Sequence, residues 1–250
     1  MAGHSKWSKV KRFKGALDSK RGKIFSRYSK EIMVAARTGG GDLSLNPRLR
    51  TAVVAARSQN MPNDTIERAI KKGTGEIAGG VLEELIYEGY GPGGAAIIVE
   101  AATDNKNRTA ADIRSIFSKN HGHLAASGAV SYMFRRKGLI TVARGAVEEE
   151  RLMDIALQAG AEDLTVEDES FVVTTPQDRL YQVGEALRIA GITAESQKLT
   201  FLPGTMVTID QENHASQILR LCDALEENDD VQNVYSNFDI SDELLTRLSN

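Results

Sequence analysis

The sequence predicts an α+β protein of three domains: an N-terminal three-helix bundle, a middle α+β domain, and a ferredoxin-like βαββαβ domain inserted in the middle one. Three observations predict it. Apolar residues over 20–75 recur at helical spacing in three blocks with short joints between them. Beyond the Gly-rich joint KKGTGEIAGG the pattern switches to strand-like runs, and residues 137–202 follow the order β-α-β-β-α-β. The expected boundaries are a basic arm at 1–19, a helical domain at 20–78, a middle domain at 79–136 plus 203–240, the ferredoxin-like domain at 137–202 and a tail at 241–250.

Charge is divided unevenly along the chain. The 250 residues carry a net −3, but residues 1–80 hold 17 basic against 6 acidic side chains, a net +11. Residues 81–250 hold 14 against 28, a net −14. A basic head on an acidic body points to a polyanionic partner that the head faces and the body repels. Within the head, Lys6, Lys9, Lys11, Arg12 and Lys14 stand with Trp7 and Phe13, and the first eighteen residues show no apolar period. The alternative reading is a solvated tail kept for solubility.

The helical blocks follow. Over 20–37, Ile24, Phe25, Tyr28, Ile32, Ala35 and Ala36 project to one side, and Lys20, Lys23, Arg27, Lys30 and Arg37 to the other. This predicts one packed face and one basic stripe. Asn46-Pro47 starts a second helix. Asp64 and Glu67 are spaced as the capping box of a third, with Gly73 at its end. Arg48, Arg50, Arg57, Lys71 and Lys72 extend the positive surface. The second and third helices resemble a helix-turn-helix only superficially, since Arg68 is nearly alone as a base-reading side chain.

In the middle domain, strands over 82–90 and 95–102 flank Gly89-Tyr-Gly-Pro-Gly-Gly94. This G-x-G-x-x-G is followed by a strand, not the helix a dinucleotide site needs, so it reads as a hairpin turn. The polar loop 103–109 feeds a helix that Asn107 is placed to cap, and Lys106 and Arg108 there are possible secondary phosphate contacts. His121 and His123 lack a third ligand. In the ferredoxin-like unit Pro176 is placed to open the second helix. Phe171, Phe201 and Tyr181 are too few for a stacking surface, and the acidic run Glu148–Glu150 suggests a protein-facing or spacer module. The strands and helix after Pro203 are expected to return to the sheet begun at 82–102.

No catalytic residue, metal site or cofactor motif is singled out. The carboxylates cluster on helix faces and in the EENDD turn, where solvation accounts for them, and Cys222 reads as a buried structural thiol. A single cysteine excludes an internal disulfide and makes a reducing cytosol the default. No apolar run approaches the ~18 residues that cross a bilayer.

Long stretches of the chain have a recognisable wording: AGHSKW, DSKRGKIFSR and KEI, NPRLR, NMPNDTIERAIKKG, YEGYGPGG followed by TDNKNRTAADIR, and DALEENDDVQNVYSNFDI. These resemble the YebC/PmpR family, which includes the mitochondrial translational activator of cytochrome oxidase, from Ala2 to about Ile240. The resemblance implies the same three-domain α+β build and a non-enzymatic role without cofactors. It implies a nucleic-acid-binding regulator of gene expression, described for bacterial members as a DNA-binding transcriptional regulator in the cytoplasm. The alternative is a ribosome-associated translation factor that binds ribosomal or transfer RNA and relieves stalling at difficult stretches such as proline runs. With the start at Ala2, a bacterial-type cytoplasm is expected. The contact residues expected from the basic head are Lys6, Trp7, Lys9, Lys11, Arg12, Lys14, Lys20, Arg21, Lys23, Arg27, Arg48 and Arg50. Two stretches depart from the family pattern, VKRFKGALD and the loop from His121 to Ser127, so no role is carried over to that loop.

Overall fold

The structure, a computed structural model, describes residues 20–249. Lys6, Trp7, Lys9, Lys11, Arg12 and Lys14 lie outside the described residues, as do the side chains of Lys20 and Arg21. The described chain divides into two compact units. One is formed by the residues before Arg136 with those from Pro203 on, the other by Arg136–Leu202.

The first unit opens with helices α1 (Lys20–Gly39), α2 (Pro47–Ser58) and α3 (Asn63–Thr74). Ile32, Ala35 and Ala36 of α1 meet Leu49, Ala52, Val53 and Ala56 of α2 and Ile66 and Ala69 of α3 in one buried core. Asn46 caps α2: its Oδ1 accepts the Leu49 N–H at 3.0 Å, and its Nδ2 donates to the carbonyls of Ala35 and Gly40. The capping box expected at α3 does not form. Pro62, with φ −60° and ψ 138°, occupies the N-cap position, so Asp64 falls in the first turn, where it still suits the helix dipole. Gly73 does not end α3 either. A Cβ there would lie 2.5 Å from the Met33 carbonyl oxygen, so glycine is required where α1 and α3 touch, and Gly75 at φ 82° ends the helix.

Strands β1 (Glu83–Tyr90) and β2 (Ala96–Thr103) form an antiparallel hairpin from Glu83 opposite Thr103 to Tyr90 opposite Ala96. Gly93 and Gly94 at its turn take φ of 73° and 77°. Helix α4 (Lys106–Lys119) is capped by Asn105, whose Oδ1 accepts the Arg108 N–H at 3.1 Å, and not by Asn107, which lies inside the helix. Strand β3 (His123–Leu124) pairs with the end of β1. After the second unit come β8 (Val207–Ile209), α7 (Glu212–Glu227), β9 (Val231–Ser236), β10 (Phe238–Ile240) and α8 (Asp242–Ser249). The sheet order is β3-β1-β2-β9. Ile97 and Val99 pack under Ile113 and Phe117 of α4 and Ile218, Leu221, Cys222 and Leu225 of α7.

The return to this sheet is made by β9 alone. β8 pairs in parallel with β10 instead. Asn237 is the corner: its Oδ1 accepts the Ala96 N–H at 2.7 Å, which closes the main ladder, and its carbonyl accepts the Val207 N–H, which opens the small one. Residues 241–250, set apart in the sequence as a tail, include α8, whose Leu244 is buried in the same core.

The second unit carries β4 (Phe134–Ala143), α5 (Glu149–Gln158), β5 (Asp163–Val166), β6 (Ser170–Pro176), α6 (Leu180–Ile189) and β7 (Ser196–Pro203). Its order β5-β6-β4-β7 is the ferredoxin-like one. Ile140, Val142, Phe171 and Val173 meet Leu152, Ala156, Leu180, Val183 and Leu187 in its core. Pro176 ends β6 opposite Lys137 and does not open α6, which starts after a turn closed by Arg179 N–H to the Pro176 carbonyl.

Candidate nucleic-acid interface

Spacing of four and three residues puts Lys23, Arg27 and Lys30 on one stripe of α1. The sequence predicts that this stripe is displayed. The structure instead turns it onto the C-terminal end of α7 and the turn after it. Lys23 Nζ donates to the Glu227 carbonyl at 3.0 Å, and Arg27 donates to the Glu226 carbonyl. Lys30 Nζ reaches the carbonyls of Ala102 and Asp229 at 3.1 and 2.9 Å and Asp230 Oδ1 at 2.7 Å. The last carbonyls of a helix are unpaired and carry the negative end of its dipole, which is why cations collect there.

Arg48 and Arg50 are also engaged within the protein. Arg48 grips Glu31 with two bonds, Nε–Oε1 at 2.8 Å and Nη2–Oε2 at 3.1 Å, and reaches Glu84 Oε1 at 2.7 Å. Burial opposes its charge, but Glu31 and Glu84 more than offset this and hold the guanidinium pKa above its ordinary value. Arg50 donates to the carbonyls of Leu43 and Ser44, and Arg37 to that of Leu82.

Asp230 is the node of this joint and a correction to the solvated reading of EENDD: it is 7% exposed. Besides Lys30 it accepts from Thr109 Oγ1 at 2.7 Å, Arg108 Nη2 at 2.9 Å and Thr103 Oγ1 at 3.2 Å. Burial pushes its carboxyl up, yet the bonds from Lys30, Thr109 and Arg108 bring it down to about 2. Arg108 therefore faces an internal anion, while Lys106 beside it is exposed.

A second buried carboxylate, Glu88, accepts the backbone N–H groups of Gly128 and Val130 at 2.7 Å and of Ser131 at 2.8 Å. Burial raises its pKa, but these three donors lower it below the ordinary value overall. Sequence reasoning missed Lys30, Thr103, Thr109 and Asp230 as a connected framework, and Glu88 as the anchor of a separate turn. The available signal was their place in the quoted motifs: KEI, TDNKNRT, YEGY and the last acid of EENDD just before a strand.

Exposed cations remain on α3, at Arg68, Lys71 and Lys72, but its N-terminal half exposes Asp64 and Glu67. A recognition helix meets base edges with its N-terminal residues, and acids there would face phosphates. Among the described residues, no group of three His, Cys, Asp or Glu side chains forms a metal site, and no helix is long and apolar enough to cross a membrane.

This is a three-domain α+β protein in which a basic helical bundle is clamped by its own cations to an antiparallel sheet domain that carries a ferredoxin-like insertion. The chain belongs to the TACO1/YebC family. Residues 5–76 match the description "TACO1/YebC protein N-terminal domain", and residues 82–238 match "TACO1/YebC second and third domain". It is 55% identical over 249 residues to a protein of Desulfotalea psychrophila named a probable transcriptional regulatory protein, covering 100% of both chains. A protein of the same name from Geobacter sulfurreducens is 53% identical over 99% of this chain and 100% of that one. The crystal structure of a conserved hypothetical protein from Aquifex aeolicus superposes with a TM-score of 0.82 at 48% identity, covering 91% of this chain and 93% of that one.

Proposed function

We propose that this chain is a non-enzymatic, cytoplasmic, nucleic-acid-binding regulator of gene expression, and that it acts as a DNA-binding regulator of transcription. One observation carries this reading: the net +11 of residues 1–80 against the net −14 of the rest. The names of the relatives support the regulatory part. Lys6, Lys9, Lys11, Arg12, Lys14, Lys20 and Arg21 supply the phosphate contacts, with Trp7 available to stack on a base. Lys23, Arg27, Arg48 and Arg50 serve mainly to hold the bundle in place, because each already bonds within the protein. Lys106 and Arg108 are secondary phosphate contacts, Arg108 with the part of its guanidinium that Asp230 leaves open.

A second reading, a ribosome-associated translation factor that binds ribosomal or transfer RNA, is favoured by the acidic N-terminal half of α3. That helix offers little to base edges in a major groove, whereas RNA presents shape, phosphates and unstacked bases. The test is a competition at fixed physiological salt among a candidate promoter, a random duplex and ribosomal RNA. Promoter and random duplex are expected to bind within about tenfold of each other, since strong discrimination needs several bidentate base contacts of roughly 1–3 kcal/mol each. A preference for ribosomal RNA of about a hundredfold or more would move the function to the second reading, and failure to bind any of the three would overturn both.

A further inference from the structure

The acidic body contains one long stretch with no acid at all. From Ile113 to Val147 there are six Lys or Arg and no Asp or Glu, although residues 81–250 as a whole hold 28 acids. In the first unit this stretch covers the second half of α4, β3, the loop after it and the start of β4. Arg114, Lys119, His123 and Arg135 are all exposed along it.

Tyr132 stands in the same stretch at 74% exposure, and it is the one aromatic among the exposed large hydrophobic residues of the described chain. Its backbone is held firmly. The turn Ser131–Met133 follows the three N–H groups that Glu88 binds, and the Met133 N–H closes onto the Val130 carbonyl at 2.9 Å. Tyr90 donates its hydroxyl to the Ala129 carbonyl at 3.0 Å, and Val130 is fully buried beneath. A buried carboxylate, costly to desolvate, thus fixes a turn whose side chain points away from the core. An aromatic ring on a pre-ordered backbone loses little entropy when a flat ligand stacks on it.

We infer that Tyr132, with Arg135 close by in the chain, forms a second nucleic-acid contact on the middle domain, taking an unpaired base on the tyrosine ring and a flanking phosphate on the guanidinium. The ligand class is single-stranded nucleic acid, because a base in a duplex has no free face to offer. This rests on the proposed nucleic-acid role but not on the basic head. It assigns a function to acid-free residues that the head's charge does not explain.

The experiment measures binding of the full chain to a twelve-nucleotide single-stranded RNA and to a duplex DNA of equal length at one physiological salt concentration. Tyr132→Ala is expected to weaken single-strand binding by roughly five- to a hundredfold, with duplex binding unchanged. Tyr132→Phe should keep both affinities within about twofold, and Tyr132→Leu, apolar but without a ring face, should behave like the alanine variant. Over a salt titration, Arg135→Gln should flatten the single-strand salt slope by about 0.7. Single-strand binding unaffected in Tyr132→Ala, or equal losses on both ligands, would overturn the inference while leaving the proposed function standing. A wild-type chain that binds neither ligand would overturn both.

Discussion

Lys30 Nζ and Asp230 Oδ1 meet at 2.7 Å across 200 residues of sequence. The pair ties α1 of the basic bundle to the turn that leads into β9 of the acidic sheet. Both partners are largely buried, with side-chain exposures of 17% and 9%. The opposite charges of head and body therefore have a structural use at this joint as well as any use toward a ligand. Three motifs that are far apart in sequence, KEI, TDNKNRT and EENDD, converge on one carboxylate.

Asp230→Ala should destabilise the first unit by about 3 kcal/mol, because it leaves Lys30 buried without its counter-charge. Chemical denaturation checks this. Asp230→Asn should cost less, since an amide still accepts from Thr109. Losses of less than about 0.5 kcal/mol in both variants would show that the joint is held by packing alone.

The same carboxylate sets a pH dependence. Its folded pKa of about 2 lies below the ordinary 3.8, so its stabilisation is complete above pH 3.8 and is lost as pH falls toward 2. Glu88, also depressed, acts with the same sign. The stability gap between wild type and Asp230→Asn should therefore narrow as pH is lowered from about 5 to about 2. A gap that stays constant over this range would contradict the assignment.

Glu88→Gln replaces two acceptor oxygens by one and adds a donor where three backbone N–H groups converge. Stability should fall by about 2 kcal/mol. Amide hydrogen exchange should accelerate over residues 126–132 while α1 to α3 keep their protection. Unchanged exchange in that segment would mean that buried Val130, not Glu88, fixes the turn.

Gly73→Ala tests the packing of α1 on α3. Helix propensity alone favours alanine by about 1 kcal/mol. The new Cβ would lie 2.5 Å from the Met33 carbonyl and 2.8 Å from the Ala36 Cβ, and overpacking of this kind costs roughly 1–3 kcal/mol. We expect a net loss of stability in thermal unfolding, and a rise in Tm would contradict the packing described.

Much of this architecture was legible in the sequence because period and topology are local signals. The 3.6 period marks α1 to α3, and the alternation of elements marks the ferredoxin-like unit. What failed depended on distant partners. The place of Asp230 just before a strand is a weak local signal, and its burial is supplied by Lys30, Thr103, Arg108 and Thr109, all distant in sequence. The stripe of α1 likewise reads as a free cationic face until α7 ends against it. Gly73 reads as a helix stop because the Met33 carbonyl it must clear is forty residues away. Asn237, which divides β9 from β10, carries no turn signal stronger than that of its neighbours.

The central claim is that nucleic-acid affinity comes from the basic arm together with Lys20 and Arg21, whereas Lys23, Arg27 and Lys30 of α1 hold the protein together. The salt dependence of affinity for duplex DNA tests this most directly, compared between wild type, the variant with Lys9, Lys11, Arg12 and Lys14 changed to Ala, and the variant with Lys23 and Arg27 changed to Ala. Each phosphate that the protein no longer neutralises should flatten the slope by roughly 0.9, so the slope of the arm variant should fall by up to about 3–4 at unchanged Tm. The α1 variant should keep its slope and lose stability. An arm variant with wild-type slope, or an α1 variant that loses its slope while keeping its Tm, would contradict the account.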